Sequence, residues 1–251
     1  MQKVLCVNKP VGMTPLQMIE MTRWQHPELR EEKMAYAGRL DPMAEGLLLI
    51  LIGEECLNRT MYERMDKEYE FEILLGIETD TYDTLGLVEK SDPDISRSIV
   101  KKVDDTFISQ FTGTFFQQYP PYSSARVNGK ALYWYAREGK LDTIEIPGKE
   151  ATVISLEKKS SDILTSFVLQ QIVYQRITKV TGEFRQTQIL HRWLEYFETY
   201  QEIEYPVISF KVICSSGTYV RSICHEMGKQ LGTSALALSI KRTRVGEYIL
   251  P

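Results

Sequence analysis

The segment YAGRLDPMAEGLLLILIGE, residues 36–54, sets one carboxylate, Asp41, ahead of a proline and then runs into an unbroken apolar stretch. Continuous apolar character without polar alternation is the pattern of a strand covered on both faces. Asp41 has two readings on these residues alone. Asp-Pro is a common turn former, and the residue before a proline is held extended, so its side chain can also project from the turn toward a site.

Outward from this segment the pattern changes. In DKEYEFEILLGIETDTYDTLG, residues 66–86, Tyr69, Phe71 and Ile73 alternate with Glu68, Glu70 and Glu72, which predicts a strand with one face to solvent. Upstream, residues 3–7 read as a short strand. A helix follows, with Thr14 as its cap, Pro15 at its first position, Gln17 completing a capping box, and an end near His26-Pro27. Downstream, residues 98–113 read as a helix ending at Gly113. Residues 160–204 read as a helical hairpin. Its stripes are Ile163, Leu164, Phe167, Val168, Ile172, Val173, Ile177 and Val180, then Ile189, Leu190, Trp193, Leu194 and Phe197. The chain closes with a strand over about 206–214, a Ser-Ser-Gly-Thr turn, a helix burying Val220, Ile223, Cys224, Met227 and Leu231 up to Gly232, and a last strand, RTRVGEYIL. Strands and helices in this irregular order predict an α+β fold, one domain over 1–251 with a helical insertion.

With 251 residues, 43% of them hydrophobic, the chain can bury a substantial core. Its first ten residues lack a long apolar stretch followed by small residues, and LLLILIG is far too short for a membrane span, so a cytoplasmic protein is expected. Cys6, Cys56, Cys214 and Cys224 show no C-x-x-C spacing, and no His-x-x-x-His pair occurs among His26, His191 and His225. Neither a metal site nor a disulfide framework is expected. The net charge of −4 argues against a nucleic-acid partner, but its distribution weakens the objection. Residues 61–95 carry eleven acids against three bases, whereas residues 211–251 carry six bases against two acids. An acidic protein can still present one basic face. The stretch 117–140 interleaves Arg126, Lys130 and Arg137 with Tyr122, Tyr133, Trp134 and Tyr135. That suits either a nucleic-acid contact or a solvated hairpin whose rings pack on the core.

Arg221 falls in the first turn of its helix, where the macrodipole disfavours a cation by about 0.3–1 kcal/mol. A nearby anion would relieve that cost, and Asp41 is the natural candidate. Asp80 and Asp83 read as a cation-binding or simply solvated loop. No second carboxylate is evident beside Asp41, which points to single-carboxylate chemistry.

NKPVGMT, GRLDPMAEGLLLILIGE, DKEYEFEILLGIETDTYD, YSSARVNGKALYWYAREG, SSGTYVRSI and LSIKRTRVGEY follow one another in the order found in TruB-type tRNA pseudouridine synthases, which this chain resembles over nearly its whole length except about 160–204. The resemblance implies conversion of uridine to pseudouridine in the TψC loop of tRNA, at the standard position fifty-five, without cofactor or metal; a monomer is the default expectation. It implies Asp41 as the catalytic aspartate, Tyr69 as the active-site tyrosine and Arg221 as the partner of Asp41. It implies substrate-side roles for Lys9, Tyr36, Arg39, Asp80, Tyr122, Arg126 and Lys130, with Asp80 in the active-site network and Tyr122, Arg126 and Lys130 on a loop that folds over the tRNA arm. A non-catalytic tRNA-binding module, or a synthase for another RNA, would carry much the same likeness. Three departures stand out: Tyr36 occupies a position where many members have histidine, no C-terminal PUA domain is expected, and the helical hairpin has no counterpart in the pattern.

Overall fold

Leu47 to Leu51 are all 0% exposed, as a strand covered on both faces requires. The computed structural model describes residues 4–250. The chain runs β1 (Val4–Lys9), α1 (Pro15–Gln25), β2 (Met34–Ala37), β3 (Ala44–Ile52), α2 (Arg59–Arg64), β4 (Lys67–Leu75), β5 (Ile77–Thr79), β6 (Val88–Ser91), α3 (Asp105–Ser109) and β7 (Gly113–Gln118). It continues with β8 (Arg126–Val127), β9 (Lys130–Ala131), α4 (Leu132–Arg137), β10 (Gly148–Thr165), α5 (Ser166–Thr178), α6 (Gln186–Thr199), β11 (Glu204–Cys214), α7 (Val220–Leu231), β12 (Ala235–Val245) and β13 (Tyr248–Ile249). The large sheet has the order β1-β3-β12-β4-β11-β10-β7, with β2 beside β3 and β13 beside β12. The contact between β3 and β12 is parallel, pairing Ala44 with Ile240 and Gly46 with Arg242. A side chain at Gly46 would run into the Arg242 backbone, so the close approach needs glycine there. With helices packed on a largely antiparallel sheet, the class is α+β, as expected.

The alternation read from 68–73 is realised in β4. Tyr69, Phe71 and Ile73 face a core shared with Phe210, Val212, Ile223 and Met227, where the Phe71 and Phe210 rings stack at 5.3 Å. In β3, Leu47, Leu49 and Leu51 meet Tyr62 and Val245, while Leu48 and Ile50 meet Met18 and Ile19 of α1. The capping box of α1 is present, with Thr14 accepting from the Gln17 N–H and the Gln17 side chain accepting from the Thr14 N–H. The first strand is described over Val4–Lys9 and so extends past the expected end at 7; residue 3 lies outside the described residues.

Three expectations need correction. Residues 98–113 do not form one helix. A 3₁₀ segment, Arg97–Lys102, ends before Asp104, whose carboxylate accepts from the Phe107 N–H at 2.9 Å and starts α3 as a separate short helix. The hairpin starts at Ser166 rather than 160, because residues 160–165 continue β10 and pair with Ser209–Glu204 of β11. There Thr165 caps α5, so Ile163 and Leu164 belong to a strand. The last strand is longer than RTRVGEYIL suggests and breaks at Gly246 into β12 and β13. The hairpin α5–α6 covers the far face of the sheet, packing Leu169, Val173, Ile177, Ile189 and Trp193 on Leu74, Val207 and Leu236. No helix among the described residues is long and apolar enough to cross a membrane.

Candidate active site

A cleft of about 770 Å³ opens where the β2–β3 loop, the turn after β5, the segment before α4, the α5–α6 loop and the N-terminus of α7 converge. Asp41 sits in the first of these, and the fold holds that loop from both sides. On one side Arg242 of β12, itself buried, donates to the carbonyls of Leu47 (2.7 Å), Arg39 (3.0 Å) and Gly38 (3.3 Å). On the other, Arg176 of α5 donates to the Met43 carbonyl at 2.6 Å, and the Gly12 N–H donates to the Pro42 carbonyl at 2.7 Å. The Asp41 side chain stays 39% exposed and lines the cleft, so the loop presents its carboxylate to whatever enters.

Arg221, in the first turn of α7, is only 3% exposed. Its Nε donates to Asp41 Oδ2 at 2.8 Å, its Nη1 to the Thr81 carbonyl at 2.6 Å and its Nη2 to the Tyr122 carbonyl at 3.3 Å. Burying a guanidinium is costly unless its donors are met and a counter-charge is close, and both conditions hold. Burial alone would lower the Arg221 pKa, but Asp41 and Asp83 outweigh it, and the net displacement is upward. Arg221 is therefore a fixed cation whose Nε–H donor orients the Asp41 carboxylate.

The fold also brings in a second carboxylate. Asp83 Oδ2 lies 3.8 Å from Arg221 Nε. Asp83 is buried, with Oδ1 accepting from the Thr81 hydroxyl and the Leu85 N–H, each at 2.8 Å. Burial pushes its pKa up, opposed by Arg221. Of the two aspartates in the loop, Asp83 rather than Asp80 thus approaches the Asp41–Arg221 pair. Asp80 faces away, its Oδ1 accepting from the Leu87 N–H and its Oδ2 paired with Arg185 Nη1, each at 2.8 Å.

Tyr69 lines the cleft from β4 beside Arg242, and burial raises its pKa. Its phenol is therefore neutral around pH 7, a ring for stacking rather than a ready base. Tyr36, Arg39 and Tyr122 also line the cleft, Tyr36 with the Arg59 guanidinium 5.1 Å from its ring centre. Lys9 does not line it. That residue is fully buried, donates to the carbonyls of Pro10 (2.9 Å) and Met13 (2.7 Å), and has a pKa lowered to about 8, chiefly by burial. It ties the turn before α1 together. Arg126 and Lys130 lie on the β8–β9 hairpin outside the cleft wall. Arg126 donates to the Gly129 carbonyl at 2.9 Å, and the Lys130 ammonium sits 3.5 Å above the Trp134 ring centre.

Sequence reasoning missed Arg242, Lys67, Lys149 and Arg185, which add cations to the cleft wall. One signal was readable: period two in the last long strand puts Arg242 on the face of buried Ile240, an inward cation that needs partners. Arg185 had no such signal, because its partners are remote in sequence. Among the described residues no group of three or more His, Cys, Asp or Glu side chains is placed to hold a metal ion.

A family model described as "TruB family pseudouridylate synthase (N terminal domain)" matches residues 26–173. The "tRNA pseudouridine synthase B" of Clostridium kluyveri is 32% identical over 250 residues, spanning 99% of this chain and 68% of that protein. The protein of the same name from Chlamydia abortus is 31% identical over 249 residues, spanning 98% of this chain and 83% of the relative. Among solved structures, a chain of an H/ACA RNP bound to a substrate RNA containing 2′-deoxyuridine superposes with a TM-score of 0.54 at 19% identity, covering 99% of this chain and 49% of that one. A chain of a Cbf5-Nop10-Gar1 complex gives a TM-score of 0.54 at 18% identity and 98% coverage. This chain spans about half the length of those solved chains, and at such identity the likeness concerns the fold.

Proposed function

The chain belongs to the TruB family of pseudouridylate synthases, and on that premise we propose that it isomerises uridine to pseudouridine in tRNA, at the uridine of the TψC loop. The observation that carries the reading is the ion pair between exposed Asp41 and buried Arg221 at 2.8 Å on the cleft wall. A carboxylate oriented by a fixed cation and facing a cavity is what attack on a ribose needs.

A uridine stacked within an RNA loop is out of reach, so the base must be flipped into the cleft at a cost of a few kcal/mol. Arg39, Lys149 and Arg137 on the cleft wall offer cations for the flanking phosphates. Asp41 then acts on the sugar by one of two routes. As a nucleophile it forms a bond to C1′ while the C1′–N1 bond breaks and uracil leaves with the electron pair. As a base it removes the C2′ proton, giving a glycal and the same uracil anion. After the uracil turns, C5 bonds to C1′ as the Asp41–C1′ bond breaks with its electrons returning to the carboxylate, or, from the glycal, as the Asp41 carboxyl returns its proton to C2′. The C5 proton is then lost and N1 is protonated, so atoms and charge balance. The neutral phenol favoured at Tyr69 supports a stacking role under the rotating base. Tyr36, at the cleft wall, is suited to filling the space of the flipped base by ring contact rather than by proton exchange.

We read the protein as one cytoplasmic catalytic domain acting as a monomer, with residues 166–203 as an inserted buttress. The test is to incubate it with unmodified tRNA transcripts and map pseudouridine, alongside Asp41→Asn. Product at the TψC uridine that falls at least about a thousand-fold in rate with Asp41→Asn is expected. No product from any tRNA, or product that survives Asp41→Asn, would overturn the reading.

A further inference from the structure

The helical insertion returns to the cleft at Glu183, Phe184 and Arg185. Arg185 closes the α5–α6 loop at φ +62°, a left-handed conformation seldom adopted by residues with side chains. The loop is locked in that shape by Gln186, whose amide donates to the carbonyls of Val180 (3.1 Å) and Gly182 (2.6 Å) and accepts from the Phe184 N–H at 2.8 Å.

From there the guanidinium reaches two separate segments. Its Nη1 lies 2.8 Å from Asp80 Oδ2, and its centre sits 4.3 Å from the Tyr122 ring centroid. Both contacts are one step from Arg221. Asp80 precedes Thr81, whose carbonyl accepts from Arg221 Nη1 at 2.6 Å, and the carbonyl of Tyr122 itself accepts from Arg221 Nη2 at 3.3 Å. Arg185 therefore grips the two segments that supply both carbonyl acceptors of the catalytic guanidinium.

We propose that Arg185 is a positioning residue for the reaction: it braces the Asp80–Thr84 turn against the Tyr122 segment, so that Arg221 presents its Nε to Asp41. The inference rests on the assignment of Asp41 and Arg221 made above. A guanidinium suits the task because its flat face stacks on a ring while its edge donates to a carboxylate; an ammonium cannot do both in one geometry. The Arg185 and Asp80 side chains are 19% and 13% exposed, so the pair is shielded from most of the screening that makes surface ion pairs weak. The brace acts through oriented groups, and small losses of orientation at a reacting carboxylate are expensive in rate.

Arg185→Ala and Arg185→Lys are compared with the unaltered protein in three measurements: single-turnover pseudouridine formation on unmodified tRNA, tRNA affinity by filter binding, and the ¹⁵N-detected Nε–H signal of Arg221. At saturating tRNA the rate of Arg185→Ala is expected to fall about 10- to 100-fold, with Kd within about threefold and little rescue by lysine. The Arg221 Nε–H should exchange faster or broaden in both variants, with no RNA present. A wild-type rate with an unchanged Arg221 signal overturns the proposal. So does a loss confined to Kd with the saturating rate intact, which would make Arg185 a phosphate contact. If the unaltered protein makes no pseudouridine, the functional reading fails, and the Arg221 signal alone then decides the brace. If Arg185→Ala does not unfold cooperatively in urea, Asp80→Asn takes its place, with the same outcomes expected in the same direction.

Discussion

Two buried arginines meet the cost of desolvation in different ways. Arg221 has carboxylates close by, whereas Arg242 is satisfied by three backbone carbonyls, those of Gly38, Arg39 and Leu47. Removing those donors strands carbonyls on both sides of Asp41. Arg242→Met is expected to lower stability by about 2–4 kcal/mol, read by urea denaturation, and to depress the rate as the Asp41 loop loosens. An unchanged midpoint would mean that other contacts hold the loop. Lys9 carries a pH signature. It titrates at 10.5 in an unfolded chain but at about 8 when buried, so between those values the unfolded state holds more protons and stability rises with pH. Lys9→Met should reduce the gain in unfolding free energy between about pH 7.5 and pH 9.5 by about 1–2 kcal/mol. If wild type and variant share the same slope, Lys9 keeps its ordinary pKa in the fold. At this scale the sequence was legible where physics leaves a local mark. Arg221 at a helix start signals an anion, but which aspartate of TDTYD turns toward it depends on hydrogen bonds to Thr81 and Leu85 that no pattern displays.

Among the elements, the helical hairpin does two jobs. Its inner stripe covers the sheet, while Arg176, Arg185 and Trp193, whose indole N–H donates to the Thr84 carbonyl at 3.2 Å, tie it to the loops around the cleft. Trp193 is also stacked on Phe197 at 5.6 Å. Trp193→Ala is expected to cost about 3–5 kcal/mol in urea unfolding, because a large cavity opens and a buried carbonyl loses its donor. A cost below about 1 kcal/mol would show that the hairpin repacks around the gap. The strongly periodic strands, β3 and β4, were readable because their partners enforce what their own pattern already demands. The helix expected over 98–113 failed because Asp104 offers a competing cap, and Ile163-Leu164 misled because two adjacent apolar residues fit a strand edge as well as a helix. The edge strand β7, with Phe116 exposed, has too little alternation to announce itself.

Over the whole molecule, a net charge of −4 coexists with a cleft walled by Arg39, Lys67, Arg137, Lys149, Arg185 and Arg242. The α+β class was readable from the irregular alternation of strand and helix patterns, whereas the strand order, which sets β12 between β3 and β4, was not. The cleft was less readable, since its walls come from segments far apart in the chain. The parallel contact of β3 with β12 has a consequence for synthesis. As the chain leaves the ribosome, the apolar run of β3 can be sheltered early by β1, β2 and α1, all encoded nearby. The carbonyls leading into Asp41 find their donor only when Arg242 emerges, 203 residues after Arg39. A nascent chain can thus hide this apolar stretch long before it is competent for chemistry, and maturation of the cleft coincides with docking of β12.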